Sequence, residues 1–193
     1  MNNSSKNKLL FNVIIIYGTV AVGKFTVANE LHKLINYKFF HNHHTYDLSR
    51  QLFERGSLYG GRIIENIRIM LIKEIAEAKI NVITTHTYSP KFVSTTGLSD
   101  PMYMKKVQSI IERKGGRACF VHLFADEKEI LKRVSGESRK NHMKLKDKKI
   151  MKEILKTDDW ELPAPVKNNL QIDSTNLSAK QVSNFIIKHF NLS

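Results

Sequence analysis

Gly18-Thr19-Val20-Ala21-Val22-Gly23-Lys24-Phe25-Thr26 is the stretch on which the fold of this chain turns. The β-branched run Val13-Ile14-Ile15-Ile16 precedes it and suits a buried strand. Val27, Ala28, Leu31, Leu34 and Ile35 follow at helical spacing. A strand, a glycine-bounded loop and a helix in this order create a concave anion site. Successive backbone N–H groups and the positive end of the helix line it. Lys24 adds a compact charge on a flexible stem, suited to outer phosphates. Many such loops carry Ser or Thr directly after the lysine, as a magnesium ligand. Here Phe25 stands there, and the hydroxyl comes one residue later, on Thr26.

Strands and helices alternate outward from the loop. Strands are expected over residues 12–17, 37–40, 81–85, 118–124 and 170–173. Helices are expected over residues 24–35, from a Thr45 cap to Phe53, over 63–79 and from Pro101 to Gly115-Gly116. Three more follow: from Asp126 to about Val134, over 147–156, and from Ser178 to near Phe190. Gly56, Gly60 and Gly61 read as loop punctuation. Alternation of this kind predicts a mainly parallel sheet of five strands with helices on both faces. Ligands of such folds bind beyond the carboxyl ends of the strands. That places residues 18–26, 41–47, 84–88, 125–126 and 173–175 around one site.

At 193 residues the chain suits a single domain over 11–193, behind a polar and flexible stretch at 1–10. The lone Cys119 sits in an apolar run, so no disulfide framework is expected. The apolar run 9–16 is short and leads straight into the glycine loop, so it reads as a strand rather than a signal peptide. No run has transmembrane length, and the expected compartment is the cytoplasm. The net charge of +13 admits a nucleic-acid partner. However, 8 of the 31 basic residues are Arg, and Lys, Asn and Ile are abundant throughout. A chain-wide bias, or an anionic small-molecule substrate, accounts for the charge equally well.

The glycine loop resembles that of small-molecule and nucleotide kinases of the P-loop superfamily, particularly adenylate and shikimate kinases. The resemblance implies a three-layer α/β/α P-loop fold with a short mobile lid at about 135–146. It further implies ATP held by Gly18, Val20, Ala21, Val22, Gly23, Lys24, Phe25 and Thr26, with Thr26 at the α-phosphate. Magnesium would be held through phosphates and waters, with no direct metal ligand from the chain. Residues 125–134, then Ser138-Arg139, look like the helix and lid approach of these kinases. That assigns Arg133 to the nucleotide and Arg139 to the transferring phosphoryl group. Ile172-Asp173-Ser174-Thr175 is similar to the segment beside the adenine ring and puts Thr175 there. The chain also resembles a set of bacterial P-loop proteins in which His-Asn-His follows the second strand, as His41-Asn42-His43 does here.

The acceptor side departs from the shikimate-kinase pattern, because the second strand ends in His and Asn rather than Asp. Asn42, Arg50, Arg62 and His86 are the substrate-binding candidates, chosen from a region that also holds Arg55 and Arg68. His43 and Asp47 stand four apart, so on a helix they meet, and Asp47 can orient His43 as a base for an acceptor hydroxyl. His41, His43 and His44 fit polar surface or, alternatively, a transition-metal site. Together these features imply an ATP phosphotransferase with an anionic or hydroxyl-bearing small acceptor. An NTPase or nucleotide-binding regulator, and a nucleic-acid-end-modifying protein, stay open as alternatives.

Overall fold

The computed structural model describes residues 11–136, 147–157 and 159–193. In chain order these form β1 (Asn12–Gly18), α1 (Lys24–Leu34), β2 (Lys38–Phe40), α2 (His43–Arg50), α3 (Leu58–Ala78) and β3 (Val82–Thr87). Then come α4 (Asp100–Arg113), β4 (Arg117–Phe124), α5 (Glu127–Val134), α6 (Lys148–Lys156), β5 (Asn169–Asp173) and α7 (Ala179–Phe190). The strands make one sheet of order β2-β3-β1-β4-β5, every pairing parallel.

The central strand explains the layering. Side chains of β1 alternate between faces, and both faces are buried. Ile14 and Ile16 pack with Val27 and Leu31 of α1 and Val182 and Ile186 of α7. Val13, Ile15 and Tyr17 pack with Ile69 and Ile72 of α3 and Met104 and Val107 of α4. A strand with two apolar faces needs cover on both sides, which gives the α/β/α sandwich expected from the alternation. Asp126 and Ser178 cap α5 and α7 as anticipated, Asp126 accepting the Glu129 N–H at 2.6 Å. No helix among the described residues is long and apolar enough to cross a membrane.

The structure corrects two boundaries. Gly60 and Gly61 lie inside the first turn of α3, not in a loop, and Ser57 caps that turn through the Gly60 N–H. Their lack of a side chain serves packing. A Cβ on Gly61 would overlap Thr95, and one on Gly60 would come within 3.0 Å of Ser49 Oγ. Likewise α2 begins at His43, two residues before the expected cap, with Asn42 at its N-cap.

Candidate phosphate-binding site

The turn from β1 into α1 has the backbone that an anion site requires. Gly18, Ala21 and Gly23 all have positive φ, at 137°, 68° and 97°. A Cβ on Gly18 would run into the Leu123 carbonyl of β4, so this position demands glycine on both strain and space. Gly23 is the N-cap of α1 and supplies no side-chain capping bond, and the first turn holds no acidic residue. The cap residue itself thus offers the leading N–H groups of α1 no side-chain acceptor, and the helix dipole favours an anion there. Lys24 Nζ donates to the Gly18 carbonyl at 2.9 Å and the Thr19 carbonyl at 2.5 Å, which folds the ammonium over the loop. The Thr19 hydroxyl is buried beneath it, with no hydrogen-bond partner among the described residues. Val20 is half-buried and Val22 fully buried, anchoring the loop, while Thr26 is exposed on the first turn of α1.

Phe25 turns its ring toward β2, 5.7 Å from Phe39 and 4.9 Å from His41. It offers a metal nothing. β3 ends in Thr84-Thr85-His86-Thr87, without a carboxylate. No group of three His, Cys, Asp or Glu among the described residues is placed to hold a metal ion.

Arg133, from the last turn of α5, reaches the back of the loop. Its Nε donates to Glu129 Oε1 at 2.9 Å, and Nη1 to the Val22 carbonyl at 3.2 Å and Ser174 Oγ at 3.1 Å. Nη2 donates to the Ser174 carbonyl at 2.7 Å and the Thr175 carbonyl at 3.5 Å. The guanidinium in turn holds the Glu129 carboxyl below its ordinary pKa. Thr175 Oγ1 donates to Asp173 Oδ1 at 2.6 Å and accepts from the Asp126 N–H at 2.9 Å. The Thr175 hydroxyl, with the Thr175 N–H that donates to the same oxygen at 2.9 Å, lowers the Asp173 carboxyl pKa. Arg133 and Thr175 thus meet beside the loop, bonded to protein groups.

On the other side of the loop, His43 Nε2 lies 3.3 Å from Asp47 Oδ1, as the four-residue spacing requires. His43 stacks on His41 at 5.7 Å, and His41 Nδ1 pairs with Thr85 Oγ1 at 2.7 Å. Asn42 is buried. Its carbonyl accepts from Thr45 Oγ1 at 2.7 Å and Arg68 Nη2 at 3.2 Å, and its side chain bonds Tyr103. Arg68 Nε also donates to Thr45 Oγ1, at 2.9 Å. His86 is buried too, stacked on Tyr103 at 4.7 Å, with Nε2 3.3 Å from Asp100 Oδ1. Burial lowers the His86 pKa against the pull of Asp100, so the ring is neutral at pH 7. Asp100 Oδ2 accepts the Ser89 N–H at 2.9 Å.

Arg50 and Arg62 do not join this cluster. Arg50 Nη1 donates to the Phe53 carbonyl at 2.6 Å, and Arg62 is exposed beside the Tyr59 ring at 5.9 Å. The arginine held here is Arg68. It sits among Ile64, Leu71 and Ile72 on α3, and a basic residue inside an apolar stripe was the signal that could have found it. Asp100 and Tyr103 gave no comparable signal. Arg139 and nearly all of the anticipated lid, from 137 to 146, lie outside the described residues.

No protein-family model and no curated relative matches the sequence. Solved structures do. An unliganded sugar kinase from Janibacter sp. HTCC2649 is similar over 95% of this chain and 96% of its own, with 14% identity and a TM-score of 0.65. A putative kinase from Chloroflexus aurantiacus is similar over 95% and 98%, at 14% identity and a TM-score of 0.67. A shikimate kinase from Acinetobacter baumannii, in complex with shikimate, is similar over 93% and 92%, at 16% identity and a TM-score of 0.59. At such identities the likeness speaks for architecture, and this chain has the fold of the P-loop kinases.

Proposed function

We propose that this chain is an ATP-dependent kinase that phosphorylates a small molecule bearing a hydroxyl or an anionic group. The loop between β1 and α1 carries the proposal: positive-φ backbone, a helix N-terminus capped by glycine and Lys24 converge at the carboxyl edge of the sheet. In this reading the ATP phosphates lie along residues 18–26. Lys24 leaves its loop carbonyls for the outer phosphates, and Thr26 meets the α-phosphate. Phe25 excludes a protein hydroxyl from the metal, which fits magnesium carried on phosphates and water. Bound in that way, magnesium would neutralise charge on the transferring group. The acceptor lies between the β2 end and α3, where Asp47 orients His43 toward the hydroxyl proton. Arg139, from the lid, adds positive charge at the transferring phosphoryl group.

Lys24→Ala tests the reading. ATP should raise the melting temperature of the native protein and leave that of the variant unchanged. Equal stabilisation of both refutes the loop assignment. A metabolite panel with ATP then identifies the acceptor. One observation favours a second reading, a nucleotide-binding regulator without a small acceptor: Asn42, Arg68, His86 and Asp100 bond to protein partners. ATP hydrolysis indifferent to every acceptor would select it, and steeply salt-dependent binding of DNA or RNA would select a nucleic-acid substrate instead.

A further inference from the structure

Arginine carries five N–H donors in a rigid planar fork and no acceptor. In Arg133 each of the five finds an oxygen of the protein: Glu129 Oε1, the carbonyls of Val22, Ser174 and Thr175, and Ser174 Oγ. The placement of these oxygens is informative. Val22 immediately precedes Gly23, the left-handed residue on which the loop turns into α1. Ser174 and Thr175 follow β5, on the far side of β4 from the loop. Ser174, itself buried, strengthens the same junction, since its single O–H is shared between the Val22 carbonyl at 3.1 Å and the Phe124 carbonyl at 3.0 Å. Glu129, one turn earlier on α5, takes the Nε–H and fixes the plane of the fork.

From this we infer that Arg133 is a positioning residue: it acts on nucleotide through the phosphate loop, by clamping the Val22 carbonyl to the segment after β5, and not through contact with the base. The inference rests on the loop being the phosphate site. The clamp holds the Val22–Gly23 peptide in the orientation that turns the following N–H groups toward an anion. A lysine cannot replace it, because a single ammonium cannot bridge oxygens on the loop, α5 and the β5–α7 turn in one plane.

The experiment compares ATP with inorganic tripolyphosphate, which has the phosphates and no base. Isothermal titration measures both on native protein, Arg133→Ala, Arg133→Lys and Glu129→Gln, each first confirmed folded by circular dichroism. If Arg133 works through the loop, Arg133→Ala weakens both ligands by the same factor. About tenfold is expected, the equivalent of losing one charge-assisted hydrogen bond. Arg133→Lys should be as poor as Arg133→Ala, and Glu129→Gln should fall between. Without any ligand, amide exchange over residues 18–26 should quicken in Arg133→Ala while β1 and β4 stay protected. A loss confined to ATP would overturn the inference in favour of base contact. Native affinity in Arg133→Lys would overturn it in favour of a simple charge effect, and unchanged loop exchange would remove the clamp. Tripolyphosphate that fails to bind native protein, or binds Lys24→Ala equally well, would instead bring down the phosphate-loop reading itself. The exchange result judges the clamp apart from that reading, because it needs no ligand. Should Arg133→Ala not fold, Arg133→Lys and Glu129→Gln carry the same comparison.

Discussion

Lowering the pH from 7.5 to 5 should weaken the fold through His122, and His122→Phe should remove that part of the loss. His122 is fully buried in β4 and stacks on Tyr17 at 4.8 Å with 15° between the planes. Burial pushes its pKa down to about 4; the Lys24 charge works in the same direction, and the Trp160 backbone opposes it. In the unfolded chain the ring titrates near 6.5. Between these values the unfolded state binds the extra proton, so stability rises with pH across the window. The contribution is complete above pH 6.5 and is lost as the pH falls toward 4. Its full span is about 3.4 kcal/mol, from 2.5 units at 1.36 kcal/mol each. About 2 kcal/mol of it disappears between pH 7.5 and 5. Phenylalanine keeps a ring against Tyr17 and removes the titration. His86 is shifted in the same direction by burial, but it is present in both proteins and cancels. Urea unfolding of native protein and His122→Phe across this range should give a stability difference that changes by about 2 kcal/mol. A difference independent of pH, or a His122 ring resonance titrating near 6.5 in the folded protein, would refute the reasoning.

Two further substitutions test the frame of the site. Gly18→Ala forces a Cβ onto the Leu123 carbonyl at a φ of 137° and should cost about 3–5 kcal/mol in urea unfolding. Gly56→Ala, also at positive φ but in open space, should cost about 1 kcal/mol, and equal costs would show that space plays no part. Arg68→Leu removes the bonds to Thr45 and the Asn42 carbonyl and takes a cation from beside Asp100, for about 3 kcal/mol. Amide exchange should quicken at the start of α2, and a cost under about 1 kcal/mol would mean that the cluster contributes little.

The layering and the loop were readable from the sequence because each rests on local chemistry. The β-branched run of β1 can be buried on both faces, and a lysine after a glycine turn has few structural reasons to be there. Asp126 and Ser178 are caps whose side chains bond within three residues, so they too were visible. His43 and Asp47 met because helical spacing alone brings them together. What stayed hidden depends on distant partners. Gly60 and Gly61 resemble a loop until Thr95 and Ser49 are seen against them. Arg133 meets Val22 and Ser174 across 111 and 41 residues of chain, a pairing that no local pattern encodes. Arg68 was one of several arginines, and its distinction comes from Thr45, Asn42 and Asp100, which two distant stretches deliver.

The cluster of Asn42, Arg68, Tyr103, Asp100 and His86 has a consequence for how such a protein could acquire a new substrate. These side chains join the start of α2 to α3, α4 and β3, and each is bonded to or in the field of the next. Changing one leaves the others short of a partner, so this cluster, the floor of the proposed acceptor side, can evolve only by concerted replacement. Phe25, Tyr46, Asp47 and Leu48, which we propose form the rim of that side, are half-buried or exposed. They can be exchanged singly without unfolding the floor. Selection for a different acceptor would therefore act first on the rim, and descendants of one ancestor would share their floor long after their substrates had diverged.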